Sequence, residues 1–142
     1  MVGAGTLACR GSVLKWGMTT TEEFMAALTQ AETTGETRPL VALHAEGVTL
    51  RNLTERTWQG RDGAEDFWRT YLGNFEDIRS TFTRSHEADG LGVMEWEARG
   101  HVKGGHEVNY RGVSLIEVEG GQVQAFRTYY DSAAFVVPVA EE

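Results

Sequence analysis

One cysteine and two prolines are all that the 142 residues contain of either type. A lone Cys9 excludes an internal disulfide and any zinc site built from several cysteines, and it fits the reducing conditions of the cytoplasm, where the chain is expected to reside. Basic residues are also scarce: 13 Lys and Arg stand against 21 Asp and Glu, a formal charge of −8. No basic run interrupts that balance, so neither a phosphate backbone nor an anionic lipid surface is an expected partner. No apolar run approaches the roughly 20 residues of a membrane-spanning helix. Thr6-Leu7-Ala8-Cys9 has the outline of a lipoprotein cleavage box, yet no basic segment or apolar core of signal-peptide length precedes it. Residues 1–17 are read as an N-terminal arm, appended or lying ahead of an alternative start at Met18, and residues 18–142 as one domain. What the chain has is 41% hydrophobic and 10% aromatic residues, enough for a real core.

Thr20-Thr21-Glu22-Glu23 has the form of a capping box, followed by Phe24, Ala27, Leu28 and Ala31 at helical spacing, and this predicts a first helix running to Gly35. Pro39 at a helix start, then Leu40, Leu43 and His44, predict a short second helix ending before Gly47. Val48, Leu50 and Asn52 alternate as a short strand. Asp62 with Glu65 predicts another cap, and Ala64, Phe67, Trp68, Tyr71 and Leu72 mark one face of a helix that closes at Gly73.

Beyond Phe75 the period changes to two. Strands are predicted at Ile78–His86, Leu91–Val102, Glu107–Glu119 and Val123–Asp131, separated by Ala88-Asp89-Gly90, Lys103-Gly104-Gly105 and Glu119-Gly120-Gly121. These turns suit positive φ and so antiparallel hairpins. The order α-α-β-α-β-β-β-β predicts an α+β fold with helices on one face of a curved sheet.

Trp58-x-Gly60 leading into a helix with Phe67-Trp68, then Met94-Glu95-Trp96, Gly112-Val113-Ser114 with Gly120-Gly121, and Arg127-x-Tyr129-Tyr130-Asp131 occur in sequence over about residues 19 to 135. In this order they resemble the SnoaL-like branch of the nuclear-transport-factor-2-like superfamily. The resemblance implies a cone: a bent antiparallel sheet wrapped round a helix, enclosing an apolar pocket, in a homodimer that meets through the outer sheet face. Members include ketosteroid isomerases, polyketide cyclases, limonene-epoxide hydrolase and binders without activity, so fold alone does not assign function.

The known catalytic sets are mostly not matched. At the isomerase positions stand Leu28, Asn52 and the stretch Tyr110–Gly112. At the epoxide-hydrolase positions Glu95 replaces an Arg, Glu97 keeps a carboxylate, Thr128 replaces an Asp, Leu50 replaces a Tyr, and Asn52 matches. The resemblance points Val93, Glu95, Glu97 and Arg99 inward and Met94, Trp96 and Ala98 outward, with Met94 and Trp96 expected at the dimer contact. Hydrophobic alternation alone favours the opposite facing. On the first facing, Glu95 and Glu97 are candidate acid/base groups, with Arg99 tuning them and Tyr130 and Asn52 as hydrogen-bond partners.

The expected ligand is a hydrophobic small molecule, met by His44, Trp58, Phe67, Trp68, Phe75, Tyr110, Phe126 and Thr128 besides the inward stripe of Val93 and Arg99. Each has a plainer reading as well: core packing for the aromatics, a satisfied core histidine for His44, a turn for Asn52, ion pairing for the glutamates. No metal or cofactor is expected, because His101 and His106 flank a turn without a third ligand and the glycines belong to hairpins. The resulting expectation is a cofactor-free isomerase, cyclase or hydrolase, with a binding protein without turnover or a dimeric interaction module as alternatives.

Overall fold

The computed structural model describes residues 17–136, so the expected N-terminal arm lies outside the described residues apart from Gly17. Helix α1 spans Thr20–Thr34 and ends on Gly35 in the left-handed region at φ 80°. Its cap is one residue earlier than expected. Thr19 Oγ1 accepts from the Glu22 amide and the Glu22 carboxylate accepts from the Thr19 amide, each at 3.0 Å. Three successive threonines before two glutamates offer two overlapping boxes. In the one adopted, Thr21 is buried, and its amide and hydroxyl donate to Glu87 of the sheet at 2.9 and 2.7 Å.

Helix α2 is a single turn, Arg38–Val41, with Pro39 in its opening positions. The chain becomes extended at His44 rather than Val48: strand β1 is His44–Arg51 and includes Gly47. Gly47 falls where the pairing register shifts between His44 and Thr49, so it marks an irregularity inside a strand and not the end of a helix. A three-residue strand β2, Thr57–Gln59, was not expected. Helix α3, Gly60–Gly73, follows directly, starting before Asp62 and with no side chain capping its first turn.

The remaining strands are β3 Phe75–Ala88, β4 Leu91–Val102, β5 Glu107–Glu119 and β6 Gln122–Tyr130, with a 3-10 turn at Ser132–Phe135. They form the predicted antiparallel meander. Asp89-Gly90 (φ 54° and 78°) and Gly120-Gly121 (φ 62° and 77°) make its two tightest turns. The six strands lie in the order β2-β1-β6-β5-β4-β3, antiparallel throughout except for β1 against β6. The fold is therefore α+β, with helices packed into the concave side of one curved, unclosed sheet.

Two buried clusters fill the concavity. One joins Phe24, Leu28, Phe67, Trp68, Met94 and Phe126 between α1, α3 and the sheet, and the other joins Phe75, Ile78, Trp96, Ala98 and Tyr110 toward the open end. Burying an aromatic or large aliphatic side chain contributes about 1.5–3 kcal/mol each. No described helix is long and apolar enough to cross a membrane.

Candidate functional site

The space left between α1, α3 and the sheet is a cavity of about 610 Å³. Its walls are mainly rings: Trp58 from β2, Phe67, Trp68 and Tyr71 from α3, Phe75 and Phe82 from β3. Trp96 of β4, Tyr110 of β5, Tyr130 of β6 and Phe135 close the other side. The rings hold one another edge to face, Trp96 against Tyr110 at 5.4 Å between centroids and Tyr110 against Phe135 at 4.6 Å. No carboxylate and no histidine lines the cavity among the described residues.

Its polar groups fall in three places. Deep on the sheet, Trp96 Nε1 donates to Ser114 Oγ at 2.9 Å, and Ser114 Oγ and Thr128 Oγ1 share a hydrogen bond of 2.8 Å. One hydroxyl proton of the pair joins the two oxygens, which leaves the other available to a ligand acceptor. Nearer α3, the Tyr71 and Tyr110 hydroxyls meet at 3.4 Å. Burial holds the Tyr71 phenol well above its ordinary pKa and pushes Tyr110 up to about 12; Tyr130 is raised by the same cause. All three remain neutral donors and acceptors at neutral pH.

The third place is the exposed rim. Arg56 pairs with Asp66 at 2.8 Å and lies over the Trp58 ring at 4.2 Å, while Trp58 Nε1 donates to the same carboxylate at 3.2 Å. Asn52 lines the cavity here, but its Oδ1 accepts from the Thr54 amide and hydroxyl at 2.9 and 2.8 Å. It serves the turn first.

The expected inward stripe is reversed. Met94, Trp96 and Ala98 are buried at 0%, 8% and 1% exposure, whereas Glu95, Glu97 and Arg99 are exposed on the outer face and Val93 is partly exposed there. Alternation decided the facing because an inward Glu95 and Glu97 would each have cost several kcal/mol to desolvate unpaired. Outside, Glu97 sits opposite Thr81 and Arg111, and Glu95 opposite Arg84 and Val113, in contact with water. Met94 and Trp96 accordingly lie inside the cone and not at an outer contact.

His44 is also placed differently. It is fully buried behind the cavity wall, its Nδ1 at 2.9 Å from the Leu40 carbonyl. Facing a carbonyl, Nδ1 must carry the proton, which leaves Nε2 to accept from Trp68 Nε1 at 3.3 Å. Burial lowers its pKa to about 4. Phe126 stacks on Phe24 at 5.6 Å and packs on Trp68 at 5.1 Å, in the core and not on the cavity surface. Trp58, Phe67, Trp68, Phe75, Tyr110, Thr128, Tyr130 and Asn52 line the cavity. His101 meets Asp77 at 3.0 Å, and no group of three possible metal ligands occurs among the described residues.

Sequence reasoning placed Trp96 on the outer face and gave Ser114 no role in the pocket, and it passed over Ser80 with its partner Glu32. Glu32, on α1, accepts from the Ser80 amide at 2.8 Å and from the Ser80 hydroxyl at 2.6 Å. Nothing in a local stretch announces that pair, because 48 residues separate its members.

Comparisons with known proteins agree with this geometry. The SnoaL-like domain family matches residues 21–126. No curated protein sequence matches the chain. A nuclear-transport-factor-2-like protein from Anabaena variabilis superposes with a TM-score of 0.75 at 19% identity, over 92% of this chain and 98% of its own. A putative SnoaL-like polyketide cyclase from Jannaschia superposes at 0.72 with 16% identity, over 84% and 94%. An epoxide hydrolase from M. tuberculosis, of the limonene-epoxide-hydrolase-like kind, superposes at 0.66 with 14% identity, over 81% and 85%. At such identities the structures speak for the fold, while the family match spans most of the chain: the protein belongs to the SnoaL-like domain family.

Proposed function

We propose that the protein binds an uncharged, largely aromatic small molecule in the cavity. The observation that carries this reading is the lining itself: a wall made mainly of rings, hydroxyls and the two asparagine amides of Asn52 and Asn74 as the uncharged polar groups, and no carboxylate or histidine among the described lining residues. Its one charged group, Arg56, is already engaged by Asp66 and Trp58. A cavity of about 610 Å³ accommodates a molecule of two to four fused rings. Free carboxylates, such as fatty acids, would enter without a cationic partner and pay their desolvation unaided.

Thermal shift and native mass spectrometry against steroids, polycyclic aromatic polyketides, terpenoid epoxides and fatty acids test this. A cavity ligand at a hundredfold excess over its Kd stabilises by about 2.7 kcal/mol, which raises Tm by several degrees. The expected hits are uncharged ring systems. Absence of any shift or retained ligand across the panel defeats the reading.

Cofactor-free turnover of such a ligand, as an isomerase, cyclase or hydrolase, is the second reading. The family match supports it, together with relatives described as a putative polyketide cyclase and an epoxide hydrolase. The groups available for it are the cavity hydroxyls, since Glu95 and Glu97 face outward. We propose too that the outer sheet face pairs two copies of the chain, through Val93, Val113, Leu115 and Tyr129 in place of Met94 and Trp96.

A further inference from the structure

Trp96, Ser114 and Thr128 form a line of three polar groups on the concave face of the sheet, contributed by β4, β5 and β6 in turn. Trp96 Nε1 donates to Ser114 Oγ at 2.9 Å, and Ser114 Oγ lies 2.8 Å from Thr128 Oγ1. An indole nitrogen can only donate, so it takes one lone pair of Ser114 and fixes the sense of the line at that end. The three groups carry three polar hydrogens, and the two links between them use two. Ser114 is engaged on both sides, whereas Thr128 has Ser114 as its one hydrogen-bond partner among the described residues. A hydroxyl that accepts a hydrogen bond becomes a better donor, which favours the run from Trp96 to Ser114 to Thr128 with each group donating onward. The run ends on an unused Thr128 hydrogen.

Beside the Ser114 and Thr128 pair on the same face of the sheet stand Met94, Ile116 and Phe126, all buried and apolar. The open side of the pair is the cavity, which both residues line although each is more than nine-tenths buried. We propose that the Thr128 hydroxyl is the donor that sets ligand specificity in the cavity, and that the ring system bound there places a carbonyl oxygen, of the ketone or quinone class, against it. The proposal rests on the reading of the cavity as a small-molecule site.

A carbonyl oxygen takes the Thr128 hydrogen and brings none of its own. A ligand hydroxyl in the same place also accepts it, but its own hydrogen then points toward two oxygens already linked to each other or toward the apolar side chains around them. A hydrocarbon edge there leaves a buried donor without a partner, a loss that the carbonyl avoids. The Tyr71 and Tyr110 hydroxyls, 3.4 Å apart nearer α3, form a separate polar spot, so a second oxygen on the ligand has a place of its own.

The test compares 2-acetylnaphthalene with 2-isopropenylnaphthalene, in which a methylene carbon replaces the carbonyl oxygen and the shape is otherwise kept. The ratio of their dissociation constants is measured on the wild-type chain and on Thr128→Val, which keeps the branched side chain, removes the donor and leaves the Ser114 hydroxyl facing a methyl group. The wild-type preference for the ketone is expected to fall about tenfold in Thr128→Val, the loss from leaving one buried acceptor unpaired, while the olefin binds both proteins alike. Thr128→Ser is expected to restore the preference. In the infrared spectrum of the bound ketone, the carbonyl stretch is expected at lower frequency in the wild-type chain and Thr128→Ser than in Thr128→Val. A merely structural tie between β5 and β6 would weaken both probes alike and leave ratio and stretch unchanged, which would overturn the proposal. A preference that survives in Thr128→Val and is lost in Ser114→Ala would overturn it too, by putting the donor on Ser114. Binding of neither probe to the wild-type chain would instead overturn the cavity reading itself, and the proposal with it.

Discussion

Trp96 and Gly112 stand opposite each other across the β4–β5 ladder, and the indole occupies the space that a β-carbon at position 112 would need. Such a carbon would meet the Tyr129 backbone carbonyl oxygen of β6 most closely of all, and would lie 2.7 Å from the Trp96 ring and 2.8 Å from the Tyr130 β-carbon. The absence of a side chain leaves room for the indole at this position, from which its Nε1 donates to Ser114 two residues along. Gly112→Ala is therefore expected to destabilise by about 1–3 kcal/mol, the range for overpacking a filled core. Urea denaturation measures it. The same variant should weaken any cavity ligand, because Trp96 cannot move without releasing Ser114. A neutral Gly112→Ala would show that the indole and the β6 backbone at Tyr129 both have room to shift.

Glu95→Gln and Glu97→Gln test the facing of β4 directly. Both side chains are exposed on the outer face, so each variant should stay within about 0.5 kcal/mol of the parent in stability. Ligand affinity in the cavity should be unchanged as well. A tenfold loss of affinity in either variant, with the fold intact, would place that carboxylate back at the site.

The facing of β4 was legible in its own alternation, Met94, Trp96 and Ala98 against Glu95, Glu97 and Arg99, and the resemblance misread it. Hydrophobic period outweighed analogy because charges buried without partners cost more than any family pattern returns. The hairpins were legible to within a few residues, since Asp-Gly and Gly-Gly turns announce themselves locally. Other features depended on distant partners. His44 looks like a helix residue until β6 and Trp68 are in place, and β2 is three residues held by pairing with β1. Glu32 reads as an ordinary polar position on α1; its partner Ser80 lies on a strand that the local pattern does not connect to it. Most cavity aromatics could be named from the sequence, but the hydrogen bonds that orient its hydroxyls could not.

Four apolar side chains adjoin on the outer face. Val93 pairs with Leu115 across β4 and β5, and Val113 pairs with Tyr129 across β5 and β6. Tyr129 is 43% exposed, and the other three are partly so. A two-fold contact of this patch with its own copy would bury it on an otherwise charged face. Sedimentation at micromolar concentration is expected to show a dimer, and Val113→Lys a monomer that still binds the cavity ligand. A monomeric parent chain would refute the pairing.

His44 ties stability to pH. In the folded chain its pKa is lowered to about 4, against 6.5 for the free side chain. Below pH 6.5 the unfolded state takes up a proton that the folded state refuses, so stability falls as pH drops from 6.5 toward 4, and the His44 contribution to that loss is about 3 kcal/mol. Above 6.5 the ring is neutral in both states and contributes no slope. Replacing it with leucine removes the titration but leaves the Trp68 N–H without its acceptor. His44→Leu should therefore be less stable by about 1–3 kcal/mol at pH 7.5 and should lose less of its remaining stability between pH 6.5 and 4 than the parent chain does. Urea midpoints of the two proteins at pH 7.5, 6.0 and 5.0 measure both effects. Parallel acid slopes would mean that His44 takes up its proton in the folded state, and that the Leu40 and Trp68 contacts do not hold the ring neutral.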